Sequence, residues 1–339
     1  MTGAPGWVKG GAPFLSRPHS PMPSSPPAFT VVTGLQPLPE PLARPVLAIG
    51  NFDGVHRGHQ AVIGAALALG RTLGRPTLAL TFEPHPRQVF QPDVPLFRLT
   101  PEPQKLKALG ASGLAGAIVL PFDKALAGLS AEAFVADVLV GRFGVAGAAV
   151  GFDFHFGKAR AGSPAFLKAE GARHGFPVEV VEAMLDEGDS ISSTAIRQAL
   201  ESGQVGHAAH MLGRPWSLKA TVIHGDKRGR ELGYPTANLA LPPEIRLAFG
   251  IYAVKVTVGG RTYDAVASYG RRPTFDNGRA LLEVHLFDFS GNLYGLEVEV
   301  AFHGYLRPEL KFDGIDELVR QMDADSRAAR AILAAAPTS

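Results

Sequence analysis

The chain has 339 residues, 46% hydrophobic and 19% charged: too long for one ordinary core, and too apolar for a disordered chain. Its 33 basic and 31 acidic residues leave a formal charge of +2, too balanced for a general nucleic-acid binder that works by neutralising many phosphates. The absence of cysteine excludes disulfides, thiolate zinc sites and cysteine nucleophiles. No run approaches the roughly 18 apolar residues a bilayer span needs, and the amino terminus lacks a basic stretch followed by an apolar one. A cytoplasmic protein with neither nucleic acid nor membrane as partner is expected, and nothing in the sequence specifies self-association.

Residues 1–28 carry seven prolines, four glycines and two charged residues, Lys9 and Arg17, without a period of two or 3.6, which predicts a flexible extension. From Pro45 the pattern alternates: an apolar run to Ile49, a helical stretch from about His59 to Leu73, and a second apolar run from Pro76 to Phe82. Apolar runs recur at Ala115–Leu120, Ala146–Gly151 and Pro177–Val181, with helices expected from the N-cap Ser130 to about Arg142 and after Pro164. This order predicts an α/β unit, a doubly wound parallel sheet, over residues 29–203.

Beyond residue 203 the period becomes two. Leu218–Ile223, Ile251–Val258, Tyr263–Ser268, Leu282–Phe287 and Leu296–Val300 read as strands, with turns at Gly259-Gly260 and Ser290-Gly291-Asn292. An antiparallel β-barrel over residues 204–339 follows, closed by a helix from Gly314 to Ala335 whose apolar face carries Ile315, Leu318, Val319 and Met322.

Two strings carry chemistry. At the end of the first predicted strand, Gly50-Asn-Phe-Asp-Gly-Val-His-Arg-Gly-His59 leads into a helix. In an open α/β sheet ligands bind beyond the carboxyl ends of strands, and a helix amino terminus offers N–H groups to phosphate. Gly50, Gly54 and Gly58 allow close backbone approach, and His56 and His59 can donate to charge developing on a transferring phosphate. Further on, Ser192, Ser193 and Thr194 open a helix with hydroxyls, and Arg197 stands one turn on as a fixed cation. The second string, His224 to Asn238, combines Gly225, Lys227, Gly229 and Gly233 with Pro235, Thr236 and Asn238, a mixture that suits a nucleotide phosphate and its metal; the Thr236 hydroxyl and Asn238 carbonyl beside ATP oxygens would suffice for Mg²⁺, which takes few ligands from protein. No G-x-x-x-x-G-K-[ST] P-loop occurs.

His56-x-Gly-His59 resembles the nucleotidyltransferase signature, and the ten-residue string resembles its FMN adenylyltransferase branch, as do Thr81–Arg87, Gly151–Gly157 and Ile191–Arg197. Gly233-Tyr-Pro-Thr-Ala-Asn238 resembles riboflavin kinases, together with Gly250-Ile-Tyr, Arg272–Phe275, Leu282–Asp288 and Leu306-Arg-Pro. The whole is similar to the bacterial bifunctional riboflavin kinase/FMN adenylyltransferase family over about residues 45–330. Ser268, where relatives usually carry asparagine, and Arg271 depart from its pattern.

The resemblance implies phosphorylation of riboflavin to FMN with ATP and Mg²⁺, then adenylyl transfer from ATP to FMN, giving FAD and pyrophosphate. It further implies nucleotide contacts by Asn51, Phe52 and Asp53, flavin contacts by Asp153, Arg272 and Arg307, and Glu283 as base for the ribityl 5′-hydroxyl. The alternative within enzymes is a nucleotidyltransferase for another phosphorylated substrate with a regulatory flavin-binding barrel. The alternative outside enzymes, a barrel gripping single-stranded nucleic acid, lacks stacking aromatics interleaved with a basic groove.

Overall fold

The computed structural model describes residue 3 and residues 29–186, 188–224, 233–271 and 280–335. The rest of the proline-rich extension, with the flexibility expected of it, and Gly225, Lys227, Gly229 and Arg272 lie outside the described residues.

The first half runs β1 (Thr30–Thr33), β2 (Val46–Ile49), α1 (Arg57–Leu73), β3 (Thr77–Glu83), α2 (Pro86–Phe90), α3 (Glu102–Gly110), β4 (Gly116–Pro121), α4 (Lys124–Gly128), α5 (Ala131–Ala133), β5 (Gly147–Gly151), α6 (Pro164–His174) and β6 (Val178–Val181). Ser130 caps α5, and the chain continues as a wider π-helix over Phe134–Arg142. The strands form one six-stranded sheet in the order β1-β4-β3-β2-β5-β6, every neighbouring pair parallel. Buried on both faces, such strands read as continuous apolar runs; all four residues of β2 are buried. The order reverses between β2 and β5, so the crevice that binds ligands in this architecture opens beyond Ile49 and Gly151. β1, a four-residue edge strand, has no counterpart in the sequence reading.

A short hairpin, β7 (Leu185–Asp186) and β8 (Asp189–Ser190), precedes α7 (Ser193–Glu201) and α8 (Val205–Leu212). The second half contains β9 (Trp216–Ile223), β10 (Ala237–Ala240), β11 (Gly250–Val258), β12 (Arg261–Arg271), β13 (Ala280–Leu286), β14 (Glu297–Arg307) and α9 (Ile315–Ala335). The strands close into an antiparallel barrel ordered β10-β13-β12-β11-β14-β9. Inward residues such as Leu239, Val254, Leu282 and Val300 fill it, while α9 covers part of its outside through Ala329 and Leu333 packed on Ala253 and Phe287. The barrel core also takes in Ile196, Leu200 and Met211 of α7 and α8, and Phe97 and Leu99 of the first half. Sequence reading missed β10, four residues directly after a Pro-Thr pair.

Candidate active sites

The turn from β2 to α1 forms the floor of a cleft of about 1210 Å³ at the switch point. Drug-sized ligand pockets run to about 1,000 Å³, so there is room for two substrates side by side. His56 caps α1: its backbone is extended and its Nδ1 accepts from the His59 N–H at 3.3 Å. The helix therefore starts at Arg57, two residues before the sequence-based expectation, because an imidazole does the capping usually left to Ser or Asp. Burial is the largest influence on both rings. It pushes His56 down to about 4, opposed by Asp53 and aided by Arg197 and Arg214. It holds His59 well below the ordinary range, with His56 and Lys105 acting in the same direction. Both are neutral imidazoles near pH 7, each keeping one N–H. With Nδ1 of His56 accepting, its proton sits on Nε2. The Nδ1 of His59 is buried and has no partner among the described residues.

Asp53 is almost wholly buried, and its carboxylate accepts from the N–H groups of Leu99 at 3.2 Å and Thr100 at 3.0 Å. It also pairs with Arg197, whose Nε donates to the Phe97 carbonyl at 2.6 Å. The Ser193 hydroxyl donates to the Asp53 carbonyl at 2.8 Å, and Ser192 caps α7 by accepting from Ala195 N–H. The structure thus brings the His56/His59 turn and the Ser192–Arg197 helix start together. Asp53, Ser193 and Arg197 hold one to the other and Ser192 is occupied as the cap of α7, while Thr194 stays exposed at the cleft.

Gly50, Asn51, Phe52 and Gly58 line the cleft. Gly54 does not: its N–H donates to Thr100 Oγ1 at 2.8 Å, and a Cβ there would meet Leu99 at 3.0 Å. Asp153 is exposed after β5 beside Phe152 and Phe154, which give that end of the cleft an apolar rim.

Beneath the turn lies a charged network in which Thr81 and Glu83 come from the Thr81–Arg87 string while Arg98 and Lys105 belong to no motif. Lys105, almost wholly buried in α3, pairs with Glu83 at 2.6 Å and donates to Thr81 Oγ1 at 3.0 Å. Arg98 binds both Glu83 oxygens, at 2.8 and 3.0 Å. His85 also lines the cleft, pushed to about 4 mainly by burial. Its string had been matched, but its place at the cleft depends on where β3 ends.

The barrel holds a second pocket, of about 320 Å³, under the start of α9. Its wall follows from register. Asn238 faces Glu283, Glu283 faces Ser268, Ser268 faces Ile251, and Ile251 faces Arg307, across β10, β13, β12, β11 and β14. Side chains opposite one another share a face, so this row stands on the outside of the barrel, opposite the inward Leu282 and Val284. Thr236, Glu283, Ser268 and Arg307 line the pocket. Arg307 is held by Asp325 of α9, Nε to Oδ1 at 2.9 Å and a terminal nitrogen to Oδ2 at 2.6 Å. Glu309 projects from the far wall, its carboxyl raised by burial and by the charge of Glu283. Asn238 is buried, and its Oδ1 lacks a partner among the described residues. Gly233 takes a left-handed φ of 80°, and the Pro235 carbonyl pairs with His285 Nδ1 at 2.9 Å.

A parallel sheet with paired imidazoles at its switch point, followed by a barrel whose outer pocket gathers the carboxylates of Glu283, Glu309 and Asp325 with polar side chains, defines a two-site enzyme. Residues 39–195 match the family model described as FAD synthetase, and residues 212–333 match riboflavin kinase. The chain is 41% identical to the bifunctional riboflavin kinase/FMN adenylyltransferase of Pseudomonas fluorescens, covering 85% of this chain and 93% of that one. It is 39% identical to the protein of that name from Escherichia coli K12, covering 84% and 91%. A crystal structure described as a macrolide-efflux protein from Streptococcus pneumoniae superposes with a TM-score of 0.80 at 32% identity, covering 89% of this chain and 99% of that one. The chain belongs to the bifunctional riboflavin kinase/FMN adenylyltransferase family. Among the described residues no helix is long and apolar enough to cross a membrane.

Proposed function

We propose that the barrel pocket phosphorylates riboflavin to FMN and that the cleft of the first half adenylylates FMN to FAD, with the division between the two at about residue 203. The observation that carries the reading is the separation of two chemically distinct sites, each built around a string of the corresponding family half.

In the cleft, an FMN phosphate oxygen attacks the α-phosphorus of ATP, the bond to the bridging oxygen breaks, and pyrophosphate leaves. No covalent intermediate on the enzyme is needed, so positioning and charge stabilisation carry the rate. His56 and His59 donate N–H groups to the oxygens on which charge grows. As neutral rings each keeps one N–H for this purpose. Arg197, oriented by Asp53 and the Phe97 carbonyl, adds fixed positive charge. The backbone of Gly50–Asp53 and of Gly58 and the start of α7 around Thr194 contact the nucleotide, and the Asp153 end of the cleft takes the flavin.

In the barrel, Glu283 takes the proton of the ribityl 5′-hydroxyl as its oxygen attacks the γ-phosphorus of ATP and ADP departs. Gly225, Lys227, Gly229, Gly233 and Pro235 belong to the nucleotide loop, while Arg272 and Arg307 contact the flavin. The buried Oδ1 of Asn238, unpartnered among the described residues, with Thr236 two residues before it, suits a hard cation that takes oxygen ligands. Mg²⁺ bound there supplies positive charge to the phosphate oxygens. We place the enzyme in the cytoplasm, with ATP, riboflavin and FMN as its partners. Incubation with riboflavin, ATP and Mg²⁺, resolved by chromatography, is expected to yield FMN and then FAD; FMN without FAD, or no FMN, contradicts the assignment.

A further inference from the structure

The turn that carries His56 holds two side-chain-bearing residues in the left-handed region: Phe52 at φ 52° and Val55 at φ 44°. A bulky residue and a β-branched one are rare there. Such conformations persist only where the surroundings over-determine them. Thr100, Ser193 and Gln60 of the first half hold part of this turn, and a further set of restraints reaches it from outside that half. Arg214 donates to the Gly54 carbonyl at 2.8 Å and reaches the Val55 carbonyl at 3.4 Å. Gln60 Nε2 ties the Val55 carbonyl, at 2.9 Å, to the Leu212 carbonyl at the end of α8, at 3.0 Å. Trp216, the first residue of β9, donates its indole N–H to the Leu99 carbonyl at 3.0 Å and packs edge-on against Phe97. Leu99 is in turn one of the residues that hold the Asp53 carboxylate, and Phe97 supplies the carbonyl that orients Arg197.

We infer that Arg214 and Trp216 are positioning residues for adenylyl transfer, a clamp by which the kinase half holds the other site's phosphate-handling turn in its strained shape. Both lie within residues 212–333, matched to riboflavin kinase, and beyond residue 195, where the FAD synthetase match ends. Neither lines the cleft. Arg214 acts through the backbone on either side of Val55, directly before His56; Trp216 acts through Leu99 and Phe97 on Asp53 and Arg197. The Arg214 charge also helps hold His56 neutral. The adenylylation site is therefore incomplete without the first residues of the barrel, whereas the kinase pocket, under the start of α9, draws none of its described lining residues from the first half.

The inference rests on the cleft being the adenylylation site, so His59→Ala is measured in parallel. Full FMN adenylylation by a folded His59→Ala protein breaks that assignment and leaves the clamp geometry without its function. Arg214→Met, Arg214→Lys and Trp216→Phe are made in the full chain, and kcat and KM are measured for both reactions. Misplacing reacting groups by about 1 Å costs up to about 10²-fold in rate. Arg214→Met is expected to lower kcat for FMN adenylylation by about tenfold or more, with KM little changed and riboflavin phosphorylation within about twofold. Arg214→Lys, keeping one donor, should recover part of the loss. Trp216→Phe keeps the ring and removes the N–H, and should cost adenylylation a few-fold, again selectively. Unimpaired adenylylation in Arg214→Met and Trp216→Phe overturns the inference. So does parallel loss of both reactions, or failure of all three variants to fold, since either outcome marks a purely structural role. If only Arg214→Met fails to fold, Trp216→Phe decides.

Discussion

His56 and His59 stack at the start of α1 with ring centroids 3.6 Å apart and planes inclined by 20°. Two charged imidazoles could not share that arrangement in a buried site, and burial keeps them neutral. The folded His56 has a value of about 4 against 6.5 unfolded, so the unfolded chain binds the proton more readily. Stability from this group is fully present above pH 6.5 and is lost as pH falls through about 4. The difference corresponds to about 3 kcal/mol. His59 acts in the same direction. Urea midpoints measured from pH 7 to pH 4 should fall steeply for the native chain and less steeply for His56→Asn, which retains a capping oxygen. Equal slopes would show that His56 does not titrate in this window.

His59→Ala is expected to suppress FMN adenylylation by about 10² to 10³ while riboflavin phosphorylation continues, because a donor aimed at transition-state charge has that order of effect. Both rates can be followed in one chromatographic assay. Equal loss of both would point to a folding defect.

The sheet and barrel were legible because periods of one and two residue types persist through β2, β3, β11 and β12, and the glycine turn at Gly259-Gly260 joins β11 to β12 as expected. The two site strings were legible because local order forces them: His56 and His59 meet through one helical turn. What escaped was non-local. Lys105 looks like any solvent-facing lysine of an amphipathic helix until the sheet places it under Glu83 and Thr81. Asp53, read as a nucleotide contact, has its carboxylate turned to Leu99 and Thr100 by a loop 46 residues away. Arg214 carried no motif at all, and only folding sets it 2.8 Å from Gly54.

Asp53→Asn tests that buried hub. The substitution keeps the shape but removes the charge opposite Arg197, leaving a guanidinium that is largely buried without its partner. Breaking one side of a buried pair typically costs about 3 to 5 kcal/mol. A clear loss of urea stability is expected, together with an adenylylation defect that exceeds any change in phosphorylation. A stable protein with native adenylylation would remove Asp53 from the positioning role.

Asn238→Ala removes the buried oxygen, unpartnered among the described residues, that the metal assignment uses. Loss of groups that orient a metal commonly costs about 10- to 100-fold in metal affinity or activity. The Mg²⁺ concentration giving half-maximal riboflavin phosphorylation should therefore rise by about tenfold, while the Mg²⁺ dependence of FMN adenylylation stays as it was. An unchanged Mg²⁺ titration of the kinase reaction would exclude Asn238 as a ligand.

Glu283→Gln separates the two reactions most sharply. Glu283 stands in the middle of the cross-strand row, between Asn238 on β10 and Ser268 on β12, and its side chain opens to the pocket that also holds Thr236 and Arg307. Glutamine preserves the length, the strand pairing and much of the polarity there, but it cannot accept a proton. Positioned general bases contribute about 10² to 10⁴ in rate, so FMN formation from riboflavin should fall by that order. FMN supplied from outside should still become FAD at the native rate, because Arg214, Trp216 and the rest of the clamp on the first site are untouched. Loss of the charge should also relax the carboxyl of Glu309, which is now raised partly by Glu283. A correctly folded Glu283→Gln protein that phosphorylates riboflavin at a near-native rate would refute the base assignment while leaving the barrel pocket as the place of the reaction.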